Sequence, residues 1–150
     1  MFPANNEDSM ISNLTSVCAL AALSVFVLSA PAAEKKAVDV SKIPPPSDKT
    51  GVTYTTDIKP IFDHSCINCH GVEKTKAKLR LDSLAGALKG GEDGKVILPG
   101  NGVGSPQVHN NAHPGAKDLY NPPPRNKANI TPQTKEQIGL IRAWIDQGAK

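Results

Sequence analysis

The chain has 150 residues, 17 of them Lys or Arg and 14 Asp or Glu, and 39% are apolar. That length suits one folded domain with a leader better than two domains. Aromatic residues make up only 4%, so the core is thin, and the bases are scattered apart from Lys74, Lys76 and Lys78, which argues against a nucleic-acid module.

From Ile11 to Ala33 the chain carries no charge, and Ala30-Pro31-Ala32 resembles a small-residue cleavage site followed by Glu34-Lys35-Lys36. Residues 1–32 therefore read as a secretory signal peptide. The region before it carries Glu7 and Asp8 instead of Lys or Arg, although translation from Met10 would remove both. An uncleaved membrane anchor is the alternative, since the stretch approaches the roughly 20 residues of a bilayer span. Either reading exports the folded part, which is then expected in the periplasm. Thr15-Ser16-Val17 before Cys18 makes a poor lipoprotein box. Without Glu7 and Asp8, 12 acids face 17 bases, a net charge of about +5. Such an excess favours an acidic partner or serves ordinary solubility.

Residues 33–50 contain Pro44-Pro45-Pro46 among Ser, Asp and Lys and predict a flexible, extended linker. The domain is then 51–150. Its first helix is expected to be capped by Thr55 or Thr56, with Asp57 in the first turn and Ile58, Ile61 and Phe62 on one face. Pro60 is tolerated because it falls in that turn.

The segment runs into Cys66-Ile67-Asn68-Cys69-His70, a C-x-x-C-H run, the attachment signature of haem c. Two thiols three positions apart can each add to a haem vinyl group, and the following imidazole then lies under the ring where it can bind iron. Cys18 belongs to the leader, so Cys66 and Cys69 are the only thiols of the mature chain. A zinc site would need two further ligands at characteristic spacing. His109 and His113 lie too far along the chain for a finger and leave His70 unexplained. A redox dithiol would need a βαβ context that is absent. Gly71 is expected to end the helix in a left-handed conformation.

Leu79-Arg80-Leu81 precedes a short helix capped by Asp82 or Ser83, running through Leu84, Ala87 and Leu88 and stopped by Gly90-Gly91. Glu92 to Gly104 reads as a loop. Ser105-Pro106 opens another short helix through Val108, and Asn110 to Asn129 is expected to be loop. In the last helix Thr131 caps, Pro132 takes the first position, and Ile138, Ile141, Trp144 and Ile145 form the apolar stripe up to Gly148. No useful strand pattern occurs. The expected fold is all-α, three to five short helices and long loops around one haem, the first and last helices crossing.

Taken together, Asp57 to Phe62, Cys66 to Gly71, Leu79 to Asp82, Gly90-Gly91, Ile97 to Gly100, Ser105-Pro106 and Trp144 to Ala149 resemble the planctomycete-type cytochrome c domain over 54–149. The resemblance implies a small monohaem c-type cytochrome of class I type, with Cys66 and Cys69 as thioethers, His70 as proximal iron ligand, and one-electron transfer with transient redox proteins in place of catalysis. Where the family has Met-Pro-Pro, supplying the second axial ligand, this chain reads Asn121-Pro122-Pro123-Pro124, and its only methionines are Met1 and Met10 in the leader. Three readings stand for the sixth position. His113 or His109 fills it, with His113 nearer the prolines; it is open or closed by water, Asn121 or Tyr120; or Lys117 or Lys127 binds. An open position would suit a haem-based small-ligand sensor or a peroxide-reacting protein. His64 is read as a surface or capping residue.

Overall fold

The computed structural model describes residues 38–113, 120–123, 125–127 and 129–150. The expected leader and the first residues of the expected linker lie outside them. In chain order come a 3-10 turn at Val40–Lys42, a π-type turn at Tyr54–Ile58, helices α1 (Lys59–Ser65) and α2 (Ile67–His70), and a 3-10 turn at Lys76–Lys78. Then follow α3 (Leu84–Lys89), α4 (Pro106–Ala112) and α5 (Lys135–Asp146). Among the described residues there is no strand, only the isolated bridges His70 to Thr75 and Gly91 to Gly94. Among the described residues the fold is all-α, with five short helices, as the sequence leads one to expect.

Several boundaries differ from expectation, each for a local reason. Thr53, not Thr55 or Thr56, opens the first segment: its hydroxyl accepts from Thr56 N–H. The Asp57 carboxylate accepts from Thr53 N–H at 2.9 Å. Lys59 N–H reaches five residues back to the Tyr54 carbonyl. Pro60 has no N–H with which to continue an ordinary ladder, so a wide turn precedes α1. Helix α4 runs on to Ala112 because Gln107, Val108 and Asn111 are all buried, and left-handed His113 closes it. Helix α5 starts a turn later than Thr131 and Pro132 suggest. Thr134 and Gln137 exchange a full capping box, with bonds of 3.2 and 2.9 Å, which outweighs the earlier Thr-Pro signal. Helix α3 begins at Ser83 and ends at Gly90 (φ +84°), in line with its sequence.

The core is built on α5, which buries Ile138, Ile141, Ala143, Trp144 and Ile145. Trp144 meets Tyr54 at 5.9 Å and Phe62 at 6.4 Å between ring centroids, and Tyr54 meets Phe62 at 6.3 Å. The first and last helices therefore meet through Phe62 and Trp144. Ile58, Leu81, Ile97 and Val108 fill the space around them. The polar handles of the two larger rings are satisfied: Tyr54 Oη donates to the Leu81 carbonyl and Trp144 Nε1 to the Lys150 carbonyl, both at 2.9 Å.

The described part of the proline-rich segment is a strap, which corrects the flexible-linker expectation for those residues. Ile43 is 6% exposed. Arg142 Nη1 donates to the Pro44 carbonyl at 2.8 Å, Ser47 N–H donates to the Gly139 carbonyl at 3.0 Å, and Gln147 Nε2 donates to the Lys49 carbonyl at 2.8 Å. A chain in polyproline conformation has no internal hydrogen bonds, so its carbonyls are free for α5 to use.

Gly139 lets the strap approach: a Cβ there would lie 2.7 Å from the Pro45 carbonyl oxygen. Gly139→Ala gains about 1 kcal/mol of helix propensity but overpacks against backbone, a cost of about 1–3 kcal/mol. The expected result is a lower thermal midpoint; a higher one would show the strap free of α5. A second prediction concerns acid. The Lys49 ammonium beside Asp57, with Thr53 N–H and the Thr56 hydroxyl, lowers the Asp57 pKa to about 2. The folded value lies below the unfolded one, so this contact stabilises fully above about pH 4 and is lost as pH falls toward 2. Asp57→Asn is expected to flatten the stability loss between pH 4 and 2, measured by denaturant titration at each pH.

Candidate functional site

Helix α1 delivers the C-x-x-C-H run. Cys66 N–H donates to the Phe62 carbonyl at 2.7 Å, tying the first cysteine to the core helix. One turn later, Cys69 N–H and His70 N–H both donate to the Cys66 carbonyl, at 3.1 and 2.9 Å. That winding brings Cys66, Cys69 and His70 to the wall of one cavity of about 350 Å³, a volume within the range of cofactor pockets. Gly71 ends the turn in an extended conformation (φ −114°), not the left-handed one expected. Glycine is needed there for another reason: a Cβ would lie 2.5 Å from the Ile67 carbonyl oxygen.

After Gly71 the chain doubles back. Thr75 Oγ1 donates to the Gly71 carbonyl and Gly71 N–H to the Lys74 carbonyl, each at 2.9 Å. This places the Lys76 carbonyl 3.1 Å from His70 Nδ1. A carbonyl only accepts, so Nδ1 carries the proton and Nε2 keeps its lone pair for a metal. Ala77 and Lys78 follow with φ +53°, a conformation unusual for residues with side chains. Burial pushes the His70 pKa down, against the raising effect of the Lys76 and Leu79 carbonyls, which favours the neutral, ligating imidazole. Burial also pushes the Cys66 thiol up to about 12, with Cys69 adding to the rise and Gln133 opposing it.

The remaining wall comes from distant segments. Leu79, Val96, Pro122 and Ile130 supply apolar surface, and Gln107 and Asn110 of α4 supply amides. Lys74, Lys76, Arg125 and Lys127 bring four cations, and no Asp or Glu stands among the described residues of the lining. Asn111, which follows Asn110 on α4 and is not in the lining, is 3% exposed, and neither its Nδ2 nor its Oδ1 has a partner. Gln133 Oε1 is likewise buried and unpartnered. Two thiols and an imidazole with a free Nε2 suit a covalently held iron porphyrin. Apolar walls and cations able to meet two carboxylates complete the match. The residues present fit that group.

Of the other sequence candidates, the histidines lie elsewhere. His109 Nε2 bonds the Val103 carbonyl. His113 stacks on Tyr120 with centroids 4.0 Å apart, its Nε2 3.4 Å from the Asn121 carbonyl. Neither histidine is among the residues lining the cavity, whereas Asn121 and Lys127 are. His64 is exposed on α1, as expected for a surface residue. Lys117 lies outside the described residues. Sequence reasoning missed Gln133, Gln107 and Asn110. Lone amides carry no spacing signal, and only the Thr134 capping box next door marks where Gln133 is held.

An all-α fold with a C-x-x-C-H turn opening into such a cavity defines a c-type cytochrome domain. Residues 66–124 match the family described as planctomycete cytochrome C. The match supports a planctomycete-type cytochrome c domain here. The match runs over residues 66–124 and reaches neither the elements before Cys66 nor α5. No curated protein and no solved structure matches the chain. A domain of this family implies a covalently held haem c and a role in electron transfer.

Proposed function

We propose that this protein is an exported monohaem c-type cytochrome that carries single electrons between redox partners. The observation that carries the reading is the convergence of Cys66, Cys69 and a tautomer-fixed His70 on one cavity. Cys66 and Cys69 would hold haem c through thioethers, with His70 Nε2 as the proximal ligand. When bound, that group supplies a one-electron iron couple. The chain's part is to fix the imidazole through the Lys76 carbonyl and to keep water from one side with Leu79, Val96 and Ile130. It also leaves a cationic mouth through which a partner approaches.

The sixth position is open or weakly held in this reading. Methionine is confined to the leader. The bonds of His109 to Val103 and of His113 to Asn121, together with the Tyr120 stack, support imidazoles engaged outside the cavity. These contacts favour a second reading, binding of a small ligand at the iron, as in a sensor or a peroxide-reacting protein. The periplasm is the expected location, since haem c is attached outside the cytoplasm in bacteria. Among the described residues no helix is long and apolar enough to cross a membrane. Residues 1–32, whether cleaved or kept as an anchor, lie outside them.

Spectroscopy of the purified full-length protein tests these points. Covalent haem should be found by the pyridine haemochrome assay. His109→Ala and His113→Ala should leave the ferric optical and EPR spectra unchanged, and the ferrous form should bind carbon monoxide. Loss of a low-spin signal in either variant would make that histidine the ligand, and indifference to carbon monoxide would restore a plain electron carrier. The partner is expected to present an acidic face, because the described lining holds Lys74, Lys76, Arg125 and Lys127 without a carboxylate. Oxidation of the ferrous protein by hexacyanoferrate(III) should slow steeply with added salt, and oxidation by a cationic cobalt complex should speed up. Equal salt dependence for both reagents would count against electrostatic docking at this mouth.

A further inference from the structure

Gln133 occupies the cavity without a part in attaching or ligating a cofactor. It is 7% exposed and lines the cavity beside Cys66. Its Nε2 donates to Cys66 Sγ at 3.6 Å, within reach for a sulfur acceptor. Its Oε1 is buried with no partner, a costly state for an amide unless something in the cavity completes its bonding. The side chain is delivered there by structure. Thr134, the next residue, is locked to Gln137 in both directions by the capping box, which fixes the backbone from which Gln133 projects.

We infer that Gln133 is a positioning residue that tunes the iron couple through the sulfur of Cys66. The inference rests on haem attachment at Cys66 as proposed above. A sulfur in a thioether keeps its lone pairs, so the amide N–H continues to donate to it once the bond to the porphyrin has formed. The donated proton draws electron density from the macrocycle's edge and places the positive end of the amide dipole there. Both effects favour the reduced state, and burial leaves them poorly screened. The buried Oε1 has no protein partner, so the amide can accept one further bond inside the cavity.

The test uses full-length protein matured in cells that attach haem c. Covalent haem per chain is counted by the pyridine haemochrome assay, and the midpoint potential is read by redox titration. Gln133→Leu is expected to keep its haem and to shift the midpoint downward. Gln133→Asn, whose shorter side chain draws the amide back from the sulfur, should shift it the same way. An unchanged or higher midpoint in both variants would overturn the inference. If Gln133→Leu loses its haem, Gln133→Asn decides alone, by the same criterion. Loss of haem from both would also overturn it, making Gln133 a residue of attachment. Wild-type protein lacking covalent haem would instead remove the reading on which the inference rests.

Discussion

The domain hangs on the contact between Trp144 and the rings of Tyr54 and Phe62. A chain so poor in aromatic residues has few ways to anchor its elements, and here three rings from three different segments meet within 6.4 Å of one another. Phe62 is the link to chemistry, because its carbonyl takes the N–H of Cys66. The ring fixed in the core therefore sets where the first thiol stands. Trp144 Nε1 and Tyr54 N–H both donate to the Lys150 carbonyl, so the same cluster gathers the π-type turn, α5 and the residues that follow it. Truncating a buried Trp of this kind costs about 3–5 kcal/mol, a large share of the stability of any small domain.

Much of this arrangement is written in side-chain spacing. Ile138, Ile141 and Ile145 specify a helix with one buried face, and Ser83 with Gly90 brackets α3. The C-x-x-C-H run defines its own turn. What is not legible there depends on backbone groups and on close approach. The docking of the strap depends on carbonyls freed by prolines and on Gly139 having no side chain, and neither leaves a periodic trace. The start of α5 was readable from Thr134 and Gln137, but Thr131-Pro132 offers a rival start one turn earlier, and only the reciprocal bonds decide between them. For the cavity, the thiols and His70 are legible from their spacing. Gln107, Asn110 and Gln133 become neighbours of the thiols only through folding.

Backbone carbonyls govern the histidines of this protein. Lys76, Val103 and Asn121 each offer a main-chain oxygen to an imidazole, and the three outcomes differ by place. At His70 the carbonyl frees the opposite nitrogen toward the cavity. At His109 and His113 the bonded nitrogen is Nε2, and neither residue is part of the lining. The same type of contact thus engages Nδ1 at one site and Nε2 at the other two. Around them, Lys74, Lys76, Arg125 and Lys127 set a positive field that an acidic surface or the carboxylates of a porphyrin would answer.

The group that accepts the His70 Nδ1–H hydrogen bond belongs to the main chain, and this separates two properties that a side-chain acceptor would join. No substitution at position 76, short of one that reshapes the turn, can remove the carbonyl, while Lys76 itself is part of the cavity lining. Drift at that position can therefore alter the charge of the cavity wall while the carbonyl that faces His70 Nδ1 stays in place. A change in loop length between Gly71 and Leu79 would do the reverse. The charge of the cavity wall and the state of the imidazole are thus open to separate kinds of mutation, point changes for the first and insertions or deletions for the second.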